Sequence, residues 1–188
     1  MTIRLLFALC CVLFILAIVP AMAQEVRNTS YTTRTGERVL RIETVLPVPA
    51  AEVWSAFATE AGARLWMAPV VKLDLRTGGS LRTRYEAKGS IGEPGTIVLG
   101  ILNYIEEELI TFKVTLNETF PDSIRREDKD LQEIVQIIRI GPANTKVVSS
   151  MLGWGRGKAW DDAYRFFAKG NEWTYKQLAG SLTRRDGP

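Results

Sequence analysis

The sequence predicts an α+β fold: one curved antiparallel sheet of about six to seven strands around a long C-terminal helix, with two short helices after the first strand. Three observations predict it. Residues 45–79, VLPVPAAEVWSAFATEAGARLWMAPVVKLDLRTGG, read as strand end, helix, short helix, strand and glycine turn. From there to Leu152 apolar residues come in short strand-like runs, several strictly alternating, broken by turn residues. From Lys158 the apolar spacing lengthens to three and four, the period of a helix.

The chain opens with a leader. Arg4 supplies a positive start, and Leu5 to Val19 is an apolar run of about 15 residues, short for a membrane span. Pro20 breaks it, and Ala21-Met22-Ala23 is a small-x-small cleavage pattern. Residues 1–23 are therefore expected to be a signal peptide, with the mature chain starting at Gln24 and acting in a periplasmic or extracellular space. A retained anchor is the competing reading. Cleavage would leave no stable membrane span. It would also remove Cys10 and Cys11, and with them any disulfide, thiol nucleophile or cysteine metal site.

The remaining length suits one domain with its own core. The chain holds no histidine, which excludes histidine acid–base chemistry, the Ser-His-Asp triad and nearly all zinc sites. No metal, cofactor or catalytic residue is assigned. The net charge is +3, and +2 without Arg4, with both signs interspersed, so no nucleic-acid partner is expected.

Residues 24–37 are polar and read as a flexible arm, in which Tyr31 to Thr33 could add an edge strand. Asn28-Thr29-Ser30 matches the glycosylation pattern, which matters only in a eukaryotic secretory pathway. Arg38 to Leu46 alternates, with Leu40, Ile42 and Leu46 on one face and Thr44 among them. Pro49 opens the first helix, whose Val53, Trp54 and Phe57 form an apolar face. Leu65-Trp66-Met67 follows as a short helical turn that Pro69 stops. Val70 to Leu75 and Ser80 to Lys88 flank the Gly78-Gly79 reversal. Thr96 to Ile105 and Leu109 to Leu116 flank a charged turn, Glu106-Glu107-Glu108. Asn117 to Lys129 is polar and reads as a long loop. Leu131 to Ile140 and Thr145 to Leu152 are two more strands around the Gly141-Pro142-Ala143-Asn144 turn. Gly153 to Gly157, GWGRG, lacks the spacing and the GK[ST] of a phosphate loop. The last helix carries Trp160, Ala163-Tyr164, Phe167, Asn171, Thr174, Leu178 and Leu182 on one stripe, which Phe166 and Trp173 widen. Residues 184–188 form a tail.

A helix with such a stripe must bury it against the concave face of the sheet. A sheet gripping one helix leaves a gap of the kind that holds small apolar molecules. Trp66, Met67, Tyr85, Trp154, Tyr164 and Phe167 are the expected ligand-binding residues. Large aromatics also simply fill cores, which is the plainer reading of each. Glu133 and Arg139 lie in a strand and gain interest if either points inward, since a carboxyl in an apolar cavity has a raised pKa and can act as an acid. The acidic and basic runs elsewhere read as solvated turns.

Several of these segments, in order, resemble a known family. VPAAEVWSAFATEAGARLWMAP, DLRTGGSLRTRY and PGTIVLGILNYIEEELITFKV look like the SRPBCC, or START-like (Bet v 1-like), superfamily with its helix-grip fold. The branch most resembled is the domain named after the activator of the heat-shock-protein-90 ATPase. The resemblance rests on Pro49, Val53, Trp54, Ala56 and Phe57, then Trp66, Gly78-Gly79 and Gly95 to Ile97, with Val48 where the pattern has alanine. Trp160 to Trp173, W-D-x-A-x-x-F-F-x-x-G-N-x-W, resembles the family's closing helix. It covers about residues 38–183, the extent of the expected domain. The resemblance implies a binding protein, a cyclase or a hydrolase-like enzyme, because the fold hosts all three. The namesake's co-chaperone activity acts on a cytosolic ATPase and does not fit an exported chain. Three readings follow: an exported binding protein for a lipid-like or aromatic molecule; a cyclase/dehydratase- or hydrolase-like enzyme using a buried carboxylate; and an envelope stress-related interaction module without a ligand. The oligomeric state is left open.

Overall fold

A computed structural model describes residues 25–128 and 130–183. The expected signal peptide, the Gln24 boundary and the tail at 184–188 lie outside the described residues.

The alternating segment Arg38–Leu46 forms strand β3, after two short strands, β1 (Arg27–Asn28) and β2 (Tyr31–Thr32). Its inward residues Leu40, Ile42, Thr44 and Leu46 are all buried. Both short strands pair antiparallel with β3, so the segment expected to be a flexible arm is docked instead. The side chains of β1 and β2 stay exposed while Val26 packs against the core; the backbone pairing that holds the two strands leaves no apolar pattern in the sequence.

Helix α1 (Ala50–Ala58) buries Val53, Trp54, Ala56 and Phe57, and α2 (Glu60–Arg64) follows after one residue. Thr59 links them: its hydroxyl accepts from Gly62 N–H at 2.9 Å and donates to Ser55 C=O at 2.8 Å. Gly62 is required there, because a Cβ would sit 2.1 Å from the Ser55 carbonyl oxygen.

The sheet continues with β4 (Val70–Asp74), β5 (Ser80–Arg84), β6 (Ile97–Ile105), β7 (Leu109–Thr115), β8 (Gln132–Gly141) and β9 (Asn144–Leu152). The spatial order is β1-β3-β9-β8-β7-β6-β5-β4, with β2 also on β3, and the pairs are antiparallel. The first long strand therefore joins the last one, and the curved sheet stays unclosed. The Gly78 turn uses φ 79°, which glycine adopts without penalty.

A second segment departs from expectation. The loop expected over 117–129 contains a helical turn, α3 (Asp122–Glu127), that anchors through buried Ile124. A single apolar residue in a charged run shows no period.

Helix α4 (Lys158–Thr183) crosses the concave face and buries Trp160, Ala163, Tyr175, Leu178 and Ala179. Phe166 and Trp173, expected to widen its apolar stripe, are 62% and 51% exposed and lie at its edge. The core has two parts. One gathers α1, the Trp66 turn and the C-terminal half of α4 on Ile42, Phe112 and Val135. The other gathers Trp160 and Ala163 on Leu40, Val114, Leu131 and Met151. Among the described residues, no helix is long and apolar enough to cross a membrane.

Candidate functional site

Between the two core parts, where the middle of α4 passes over the sheet, lies a cavity of about 170 Å³. Its sheet wall comes from Thr83, Leu99, Phe112, Val114, Val135 and Met151. Phe57, Trp66 and Met67 close one side, and Phe166, Phe167, Gly170, Asn171, Thr174 and Tyr175 form the helix side. Tyr85 and Ile97 complete the lining. The missing side chain at Gly170 keeps the helix wall thin: a Cβ there would meet no atom within 4 Å.

Aromatic contacts fix one wall. The Phe57 and Trp66 rings meet edge-on at 4.8 Å, and Trp66 lies 5.8 Å from the Tyr175 ring. Trp66 Nε1 donates to Ala56 C=O at 2.9 Å, so the indole is held by α1 and presents its apolar body inward.

The sheet wall carries one carboxyl group. On β8, Glu133, Val135 and Ile137 share the inward face by strand alternation. Glu133 takes a place where its neighbours are apolar and lies between Phe112 of β7 and Met151 of β9 in the register. Two hydroxyls converge on its Oε1: Ser149 from β9 donates at 2.6 Å and Tyr175 from α4 at 3.0 Å. Burial pushes the Glu133 carboxyl above its ordinary value of 4.5, and the two hydrogen bonds only partly offset this. Burial, and then the charge of Glu133, hold the Tyr175 phenol well above its usual range, so it stays a donor. Asn171 Nδ2 contacts Met151 Sδ at 3.0 Å on the same side. Among the described residues no cluster of acidic, histidine or cysteine side chains could hold a metal ion.

Of the residues singled out from the sequence, Trp66, Met67, Tyr85 and Phe167 line this cavity. Trp154 and Tyr164 do not. They meet each other edge-on at 5.0 Å and pack on the second core part, with the Arg38 guanidinium 5.0 Å from the Tyr164 ring. Trp154 Nε1 donates to Met151 C=O, which turns the indole away from the cavity. Glu133 points inward, whereas Arg139 is at the surface, paired with Glu107. Ser149 and Tyr175 were not foreseen. Tyr175 is adjacent to Thr174 on the expected stripe, and both line the cavity. Ser149 shares the inward face of β9 with Val147 and Met151, a polar residue on an apolar face like Glu133 on β8.

Comparison with known proteins places this geometry. The model of the family described as "Activator of Hsp90 ATPase homolog 1-like protein" matches residues 47–183. The fold is similar to the solution structure of the Aha1 dimer from Colwellia psychrerythraea, with a TM-score of 0.62 at 13% identity over 79% of this chain and 98% of that one. It is similar to CalU16 from Micromonospora echinospora, with a TM-score of 0.60 at 18% identity over 88% of both chains. A conserved protein of unknown function from Enterococcus faecalis gives a TM-score of 0.62 at 11% identity over 86% and 80% of the two chains. At these identities the likeness concerns the fold. No curated protein sequence matches.

Proposed function

The chain belongs to the activator of Hsp90 ATPase homolog 1-like family, of the SRPBCC superfamily, and from that premise we propose that it is an exported binding protein for a compact, mainly apolar small molecule. The cavity carries this reading. Its lining is aromatic and aliphatic apart from Glu133, Asn171, Thr83, Thr174 and the hydroxyls of Tyr85 and Tyr175, the composition of a site that binds by shape and orients by a few contacts. Its volume narrows the class of ligand. About 170 Å³ compares with the roughly 150 Å³ engineered cavity that takes up benzene, and lies below the roughly 300 Å³ at which drug-sized sites begin. A single ring with few substituents fits this space; a long acyl chain does not. Export is supported by the leader-like composition of residues 1–23.

A second reading, an acid-assisted cyclase- or dehydratase-like reaction, is favoured by one observation. Glu133 is a carboxyl with a raised pKa on the cavity wall, beside a phenol and a hydroxyl. No second side chain of matched basicity converges on the same point among the described residues, and for that reason binding is placed first.

Native mass spectrometry of the protein purified from the envelope or medium of its host tests both parts of the proposal. The expected result is a chain beginning at Gln24 carrying one equivalent of a small apolar molecule. A clean apo mass that a library of single-ring compounds leaves unchanged refutes binding. A mass that retains residues 1–23 refutes cleavage.

A further inference from the structure

We propose that Glu133 is the polar anchor of this cavity, donating a hydrogen bond from Oε2 to the carbonyl oxygen of a compact cyclic ketone, aldehyde or lactone. The inference rests on the binding reading above and names the chemistry of the ligand.

The geometry distinguishes the two carboxyl oxygens. Oε1 already accepts from Ser149 and Tyr175. Oε2 makes no hydrogen bond among the described residues, yet it is not a sealed, unsatisfied atom, and the accessible space beside Glu133 is the cavity. A neutral acid whose Oε1 accepts two hydrogen bonds carries its proton on Oε2. That proton is then the donor offered to a ligand.

The surroundings favour the neutral form. The groups facing Glu133 are Phe112 from β7, Ser149 and Met151 from β9, Trp66 from the turn after α2, and Asn171 and Tyr175 from α4. Tyr175 is the one titratable group among them, and it contributes no positive charge. Lys113, next to Phe112 on β7, is tied to Asp128 at 2.8 Å. A carboxylate without a cation in an apolar wall is costly, whereas a neutral acid with a carbonyl partner is not. Burial accordingly raises its pKa. Asn171 lies on the same side of the cavity and adds an amide that can orient the ligand.

The test uses two probes of nearly equal shape, cyclohexanone and methylenecyclohexane, titrated into the mature protein across pH 5 to 9. Cyclohexanone is expected to bind about five- to tenfold more tightly than its hydrocarbon isostere at the acid end, the effect of one buried hydrogen bond. This preference should vanish as the pH rises through the titration of Glu133. In Glu133→Gln, whose amide still donates, the preference should persist without pH dependence; in Glu133→Leu it should be lost. Equal affinity of the two probes for the wild type overturns the anchor and leaves the binding reading standing. A preference for cyclohexylamine that is already complete at pH 5 overturns it too, since Glu133 would then be an ionised acceptor where the anchor needs a neutral donor. If neither ring binds at any pH, the binding reading fails and the anchor fails with it.

Discussion

At the scale of the residue, Glu133 couples the stability of the fold to protonation. Its carboxyl titrates above 4.5 in the folded protein because burial disfavours the charged form. The folded state therefore holds a proton that the unfolded state has already lost. The stability associated with that proton is fully present below the unfolded value and is lost as pH rises through the folded value. Glu133→Gln removes the dependence and keeps an amide that can still accept from Ser149 and Tyr175. Its stability relative to wild type is expected to grow with pH, by about 1.4 kcal/mol per unit inside that window, and to level off above it. Urea denaturation of both proteins across pH 4 to 9 checks this; a constant difference contradicts the burial of a titrating carboxyl. The sequence shows that Glu133 lies in a strand, but not that it faces inward beside a serine and a tyrosine. Those three residues come from β8, β9 and α4, and only the register and the crossing of the helix bring them together.

At the scale of the element, two glycines in helices do opposite work. Gly62 lets α2 fold back on α1, with Ser55 C=O where a Cβ would stand. Gly170 faces open space on the cavity side of α4 and has no such neighbour. Gly62→Ala is expected to destabilise the protein by more than about 2 kcal/mol, because backbone must move. Gly170→Ala should stabilise it by about 0.5–1 kcal/mol through helix propensity. Chemical denaturation of the two variants checks both signs, and a destabilised Gly170→Ala would show that α4 packs tightly there rather than walling a cavity. Elements with a strong apolar period were legible in the chain: β3, α1, the later strands and α4 stand where alternation and helical spacing put them. Elements held by backbone pairing or by one anchor, β1 and α3, carry no such period and read as arm and loop. Trp154 and Tyr164 show a related limit. Helical spacing puts Tyr164 on the stripe with Phe167, but it cannot tell which part of the stripe meets the cavity and which meets the second core part.

At the scale of the whole molecule, the cavity exists because one long helix spans a curved sheet. The sheet grips α4 around Trp160 and Ala163 at one end and around Tyr175, Leu178 and Ala179 at the other. Between these grips Gly170, Asn171 and Thr174 replace large apolar side chains, and the space stays unfilled. The weakening of the stripe at Asn171 and Thr174 was visible in the sequence; its meaning required the curvature of the sheet. The measurement that tests this account most directly is a methyl-resolved NMR titration of the mature protein with cyclohexanone. The account predicts saturable shifts at the methyl groups of Leu99, Val114, Val135 and Met151, with Leu40, Leu46 and Ile124 unmoved. No saturable shift, or shifts confined to surface methyls such as those of Leu65 and Ile140, would contradict it.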